Sequence, residues 1–160
     1  MVIVPTWMRV ALASGICFAA GAISALYMTP QSLGWFDSLD RPVFFAMPLP
    51  VIFFVLVVSY ALMSLASSLM WIHDPKPWDF RGWMPLFFTH LLMQMGWLIL
   101  LFAYNVVFLS MLIAFVLATY VFILTAAAWQ RHKIAFWLLL AYLAWTLYAL
   151  GMNIAIWTLN

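Results

Sequence analysis

WMPLFFTHLLMQMGWLILLFAYNVVFLSMLIAFVLATYVFILTAAAW, residues 83–129, contains no charged side chain. As one α-helix it would run roughly 70 Å at 1.5 Å per residue, against about 30 Å of bilayer hydrocarbon. The run therefore has to turn back once. Tyr104-Asn105 is its only polar interruption near the middle, so the turn is placed there. This gives one membrane-spanning helix over about 83–103 and another over about 106–129.

The rest of the chain fits the same solvent. Of its 160 residues, 69% are hydrophobic and 6% charged. A soluble domain carries roughly a quarter charged residues, so most of this chain belongs in lipid. Three further apolar segments cover about 6–28, 48–71 and 134–159. The fold class is all-α integral membrane, a five-helix bundle forming a single domain over residues 1–160. Arg9 followed by Ala19-Ala20-Gly21-Ala22 has the outline of a signal peptide, but the apolar run is long and Arg9 comes late, which favours a retained first helix. Ala11, Gly15 and Ala19 repeat every four residues and would let helices approach closely, within the bundle or between protomers.

Positive charge sets the expected orientation. Arg9, Lys76, Arg81, Arg131 and Lys133 fall on one side of this topology and Arg41 alone on the other. The expectation is an inside N-terminus and an outside C-terminus. Trp7, Trp71, Trp78, Trp83, Trp129, Trp137 and Trp157 sit near segment ends, as interfacial anchors do, which leaves Trp35, Trp97 and Trp145 to explain.

A net charge of +2, with no basic run interleaved with aromatics, argues against a nucleic-acid partner. The one cysteine, Cys17, allows neither an intrachain disulfide nor a cysteine metal pair. All four carboxylates lie in loops, and the three histidines lie in separate segments or loops, a poor metal site. No phosphate-binding glycine loop or nucleophile elbow is present. Nothing here supports a catalytic residue or an obligatory cofactor.

Polar chemistry inside the membrane is concentrated on two helices. His90, Gln94 and Trp97 stand at i, i+4 and i+7, on one face of the third span. Left against lipid they would lack partners, so this face should point into the bundle, as a ligand site or as hydrogen-bonding glue between helices. Tyr142, Trp145, Ala149 and Asn153 make a second polar and aromatic face on the last span, where small Ala149 beside Trp145 leaves room for a planar guest. Residues 29–47 form a long first loop rich in aromatics, read as an interfacial anchor or as a lid over the bundle mouth. His90 could also ligate a haem iron, although a lone intramembrane histidine is more often satisfied by a neighbouring helix.

In this arrangement the sequence resembles the translocator protein / tryptophan-rich sensory protein family, TspO/MBR. The family's first-loop pattern Trp-Tyr-x-x-Leu-x-Lys-Pro-x-Trp-x-Pro-Pro reads here from Trp35-Phe36 through Leu39, Arg41-Pro42 and Phe44 to Ala46-Met47. The third-helix pattern Gln-Leu-x-Leu-Asn-x-x-Trp reads His90-Leu91-Leu92-Met93-Gln94-Met95-Gly96-Trp97. The fifth-helix pattern Leu-Leu-x-Pro-Tyr-x-x-Trp, then Leu-Asn and a terminal Trp-x-x-Asn, reads Leu138 to Trp145, Met152-Asn153 and Trp157 to Asn160. The departures are Ala46-Met47 for Pro-Pro, His90 for Gln, Gln94 for Asn, Ala141 for Pro and Val55 for a Trp frequent early in the second helix.

The resemblance implies a membrane receptor or sensor, commonly a homodimer, that binds tetrapyrroles such as protoporphyrin IX or haem in a cavity closed by the first loop. Ligand-binding residues implied are Trp35, Phe36, Pro42, Phe44, His90, Gln94, Trp97, Tyr142, Trp145, Ala149 and Asn153. Alternatives are a transporter of such ligands and a light- and oxygen-dependent porphyrin-degrading enzyme. The transporter would need two mouths, and an aromatic lid is read only on the first-loop side. Cholesterol is not carried over, because residues 153–160 hold no Lys or Arg.

Overall fold

The computed structural model describes residues 5–74, 76–79 and 82–160. It is all-helical over those residues: α1 Thr6–Ala25, α2 Pro30–Ser38, a 3₁₀ turn Val43–Phe45, α3 Leu49–His73, α4 Trp83–Phe102, α5 Val107–Arg131 and α6 Lys133–Leu159. Five of these (α1, α3, α4, α5 and α6) are long and apolar enough to cross a membrane. The protein is thus a multi-pass integral membrane protein.

Local sequence explains where the helices begin and turn. Pro48 precedes α3 and Pro50 lies in its first turn, where a missing N–H breaks no bond. The expected turn in the uncharged run is there. Asn105 takes φ 56°, a left-handed conformation that Asn tolerates better than most residues. Gly82 starts α4 where a Cβ would strike the carbonyls of Lys76 and Pro77, so this tight entry needs glycine.

Two expectations shift. The Gln130–Lys133 loop shrinks to a single break at His132, with φ −155°, because helix runs to Arg131 and resumes at Lys133. His132 caps α6 itself, its Nδ1 accepting from the Ala135 N–H at 3.2 Å. The first loop is largely structured. Thr29 caps α2 by accepting from the Ser32 N–H at 3.2 Å, and Pro30 occupies the first helical turn.

The spans close into a ring in the order α1, α3, α6, α5, α4. The basic side chains gather at one end as expected. Arg9 donates to the Trp71 carbonyl at 3.3 Å, and Arg131 pairs with Asp74 at 3.6 Å. Arg81, counted in the charge bias, lies outside the described residues. Trp71 and Trp83 are buried in the core at this end and are not belt residues, whereas Trp7, Trp78, Trp129, Trp137 and Trp157 are exposed, as anchors are. Aromatics cluster here too, Trp78 lying 5.6 Å from Trp71 and 6.3 Å from Phe88. The aromatic-rich end is therefore not unique to the first loop. Ala11, Gly15 and Ala19 all face outward, so they do not join helices within the bundle.

Candidate functional site

His90, Gln94 and Trp97 are all buried on the inner face of α4, as their spacing requires. Tyr142 of α6 reaches them across the middle of the ring. Its hydroxyl donates to Gln94 Oε1 at 3.0 Å and lies 2.8 Å from His90 Nε2. Tyr142 has one proton to give. With that proton on Gln94, His90 must donate from Nε2, which leaves Nδ1 a bare acceptor. His90 Nδ1 is buried and has no partner, and the buried Trp97 Nε1–H has none either. An unmade buried hydrogen bond costs about 1–3 kcal/mol. Two such atoms on one helix face are polar groups poised for something else to bond.

Beside them is a small gap lined by Gln94, Trp97, Ala114, Leu117, Trp145, Thr146 and Ala149. Its volume is about 10 Å³, room for at most a single water. Trp145 forms one wall and stacks on Tyr148, with ring centres 5.5 Å apart and planes 19° apart. Four residues anticipated for ligand binding (Gln94, Trp97, Trp145 and Ala149) therefore meet at one gap, with His90 and Tyr142 hydrogen-bonded next to it.

The other anticipated residues sit elsewhere. Asn153 is fully buried and serves the α5–α6 contact, accepting from Ser110 Oγ at 2.9 Å and donating to the Ala149 carbonyl at 2.7 Å. Phe36 is fully buried at the first-loop end of the bundle, 5.2 Å from Phe102. The Arg41 guanidinium lies 4.6 Å above the Phe36 ring and pairs with Asp37 at 2.9 Å. Trp35 lines an open outer groove with Leu39, Phe108 and Trp157, away from the central gap. Pro42 and Phe44 are exposed.

Sequence reasoning missed Phe45 and Tyr148. Phe45 packs 5.3 Å from Tyr148, at the spot left open by Gly151, where a Cβ would come within 3.0 Å of its ring. Tyr148 donates to the Phe44 carbonyl at 3.1 Å. Spacing could have revealed it, since Tyr148 follows Trp145 by three residues on α6. The first loop is also pinned by Asn160, which accepts from the Asp40 N–H at 3.0 Å and donates to its carbonyl at 3.1 Å.

The histidines are less scattered than expected. His73 and His132 bring their rings to 4.5 Å at the basic end. Among the described residues, no three His, Cys, Asp or Glu side chains group closely enough to hold a metal.

Comparison with curated proteins returns no match. Residues 13–158 match the model of the TspO/MBR family. That match spans nearly the whole chain, from the first membrane helix to the end of the last, and the chain belongs to the TspO/MBR family.

Proposed function

We propose that this protein is a membrane receptor for flat apolar molecules, tetrapyrroles such as protoporphyrin IX or haem, bound at the Gln94–Trp97–Trp145–Ala149 gap. The observation that carries this reading is the Trp97 indole N–H, buried without a partner at an aromatic-walled gap. A flat ring with an acceptor at its edge would satisfy that donor and stack on indole walls. A gap of about 10 Å³ cannot hold such a ring as it stands, so binding is coupled to withdrawal of Trp145 and of the lid it supports through Tyr148.

The test is absorbance titration of the purified protein with protoporphyrin IX in darkness. Ala149→Phe, which fills the gap, should abolish saturable binding. Trp97→Phe, which keeps a ring and removes the donor, should weaken binding by about three- to tenfold. Unchanged affinity in Ala149→Phe would sink the proposal. Loss of porphyrin absorbance only under illumination would favour the degrading enzyme instead.

His90 acts in this reading as a bridge to Tyr142. His90→Gln should retain both protoporphyrin and haem, because a Gln amide can still donate to the Tyr142 oxygen. Selective loss of haem would make His90 an iron ligand.

The proposed orientation puts the basic end inside. Cysteines introduced at Ser38 and Lys76 should label from opposite faces, and Cys17, fully buried, gives no background. A second copy is proposed to pack on the outward Ala11–Gly15–Ala19 stripe of α1, in keeping with the family resemblance. Disulfide trapping in Gly15→Cys tests it, and a monomer under oxidising conditions would refute it.

A further inference from the structure

A crevice of about 200 Å³ opens on the side of the bundle between α1 and α3. Phe18, Ala22, Ala25, Phe53 and Val57 form its walls, all of them exposed on the surface that faces lipid. The deep end is different. Tyr60 reaches into it across Gly21, whose missing side chain lets the ring pass: a Cβ there would sit 3.0 Å from Tyr60 Cε2. Tyr60 is 7% exposed, and its hydroxyl is buried without a hydrogen-bond partner. Ser24 and Gln94 are its nearest polar neighbours, yet neither makes a hydrogen bond with it; Ser24 Oγ donates to the Ala20 carbonyl at 2.9 Å and Gln94 Oε1 accepts from Tyr142.

The crevice is thus an apolar slot with one unsatisfied polar group at its end. Lipid tails can wet its walls, but a hydrocarbon tail leaves the hydroxyl unpaired, at a cost of about 1–3 kcal/mol. A guest carrying a single oxygen would fill the slot and meet the hydroxyl together. Size narrows the class further. An apolar cavity of about 150 Å³ holds benzene. About 200 Å³ suits one substituted ring and is far too small for a tetrapyrrole.

We propose that the α1–α3 crevice is a second binding site, entered from the bilayer, for a small membrane-dissolved ring compound bearing one hydroxyl or carbonyl that hydrogen-bonds to Tyr60. The site shares no lining residue with the central gap, although its Tyr60 approaches Gln94 of that gap, and it does not depend on tetrapyrrole binding there.

Fluorine NMR of the full chain in phosphatidylcholine nanodiscs tests this, with para-fluorobenzyl alcohol and fluorobenzene as probes. Empty nanodiscs give the partitioning background. Both probes should saturate a site above that background. Tyr60→Phe should weaken the alcohol about fivefold and leave fluorobenzene unchanged, which also shows that the variant is folded. Ala25→Phe, which fills the slot from its lipid side, should displace both. The proposal is overturned if neither probe saturates, since the slot then takes lipid tails only. It is overturned equally if Tyr60→Phe binds the alcohol as tightly as the parent, or if both probes persist in Ala25→Phe.

Discussion

At the basic end of the bundle, Trp83, Met84, Phe87, Leu124 and Leu139 interlock with almost no surface left exposed. At the first-loop end Ala114 and Ala149 are buried beside Phe36, Trp97, Leu101 and Phe102, and the central gap, the lipid-side crevice and the groove beside Trp35 all fall in this half. Large apolar side chains are buried in both halves, so the size of the core residues does not distinguish them. The openings do. In a bilayer, helices gain little by leaving lipid for each other, and close packing carries much of their association. The basic half supplies that packing. The lid half gives some of it up and is tied instead by a few hydrogen bonds from the lid to the end of α6.

This contrast is easiest to break with Phe87→Ala. The side chain is fully buried in the basic half, and its loss should cost about 3 kcal/mol. Unfolding in mixed micelles, followed by circular dichroism, would measure it. A cost below about 1 kcal/mol would mean that the basic half is no better packed than the lid half. Asn153→Ala comes next, at about 1 kcal/mol, because it removes the Ser110 bond between α5 and α6. A double-mutant cycle with Ser110→Ala should give a coupling near 0.6 kcal/mol, and zero coupling would deny the bond any role. Asn160→Ala should leave global stability nearly unchanged. Labelling of a cysteine at Ser38 should nevertheless quicken by about two- to fivefold as the lid loosens. Tyr148→Phe, which keeps the stack on Trp145 and loses the Phe44 bond, should cost roughly half a kcal/mol. A larger effect there than for Asn153→Ala would place the first loop, not the α5–α6 seam, at the centre of this half's stability.

The spans were legible because charge and hydropathy act over whole segments. The uncharged run had to turn somewhere, and Asn105 does turn it. The inward face of α4 was equally legible, since the spacing of His90, Gln94 and Trp97 fixes one side of any helix. The partner of His90 was not. Tyr142 lies 52 positions away, and only the ring order of the helices brings it across. The first loop hid a helix because nine residues with only two aromatics and few other apolar side chains carry little periodic signal, although Thr29-Pro30 is a start signal of the kind that opens helices. For Asn153, an amide in an apolar segment says only that it needs a partner. Ser110 being that partner is a fact of tertiary structure. The same ambiguity put Trp71 and Trp83 in the interfacial belt, since an indole near a helix end suits a core as well as a headgroup region.

The one-residue break at His132 has a mechanical consequence. It fastens α5 to α6 at the basic end, so these two helices cannot slide past one another along their length. What remains to them is to splay, like tongs held at the hinge. Ala149 stands 17 residues up α6 from that hinge, about 25 Å at 1.5 Å per residue. Spin labels at Val107 and Thr158 would read a splay as a lengthened distance when a ligand is added, and no change would exclude it. A swing of about 8° over that arm displaces Ala149 by about 3.5 Å, close to the thickness of an aromatic ring in van der Waals contact. A rotation too small to disturb the packed end is then leverage enough to admit a flat molecule at the other.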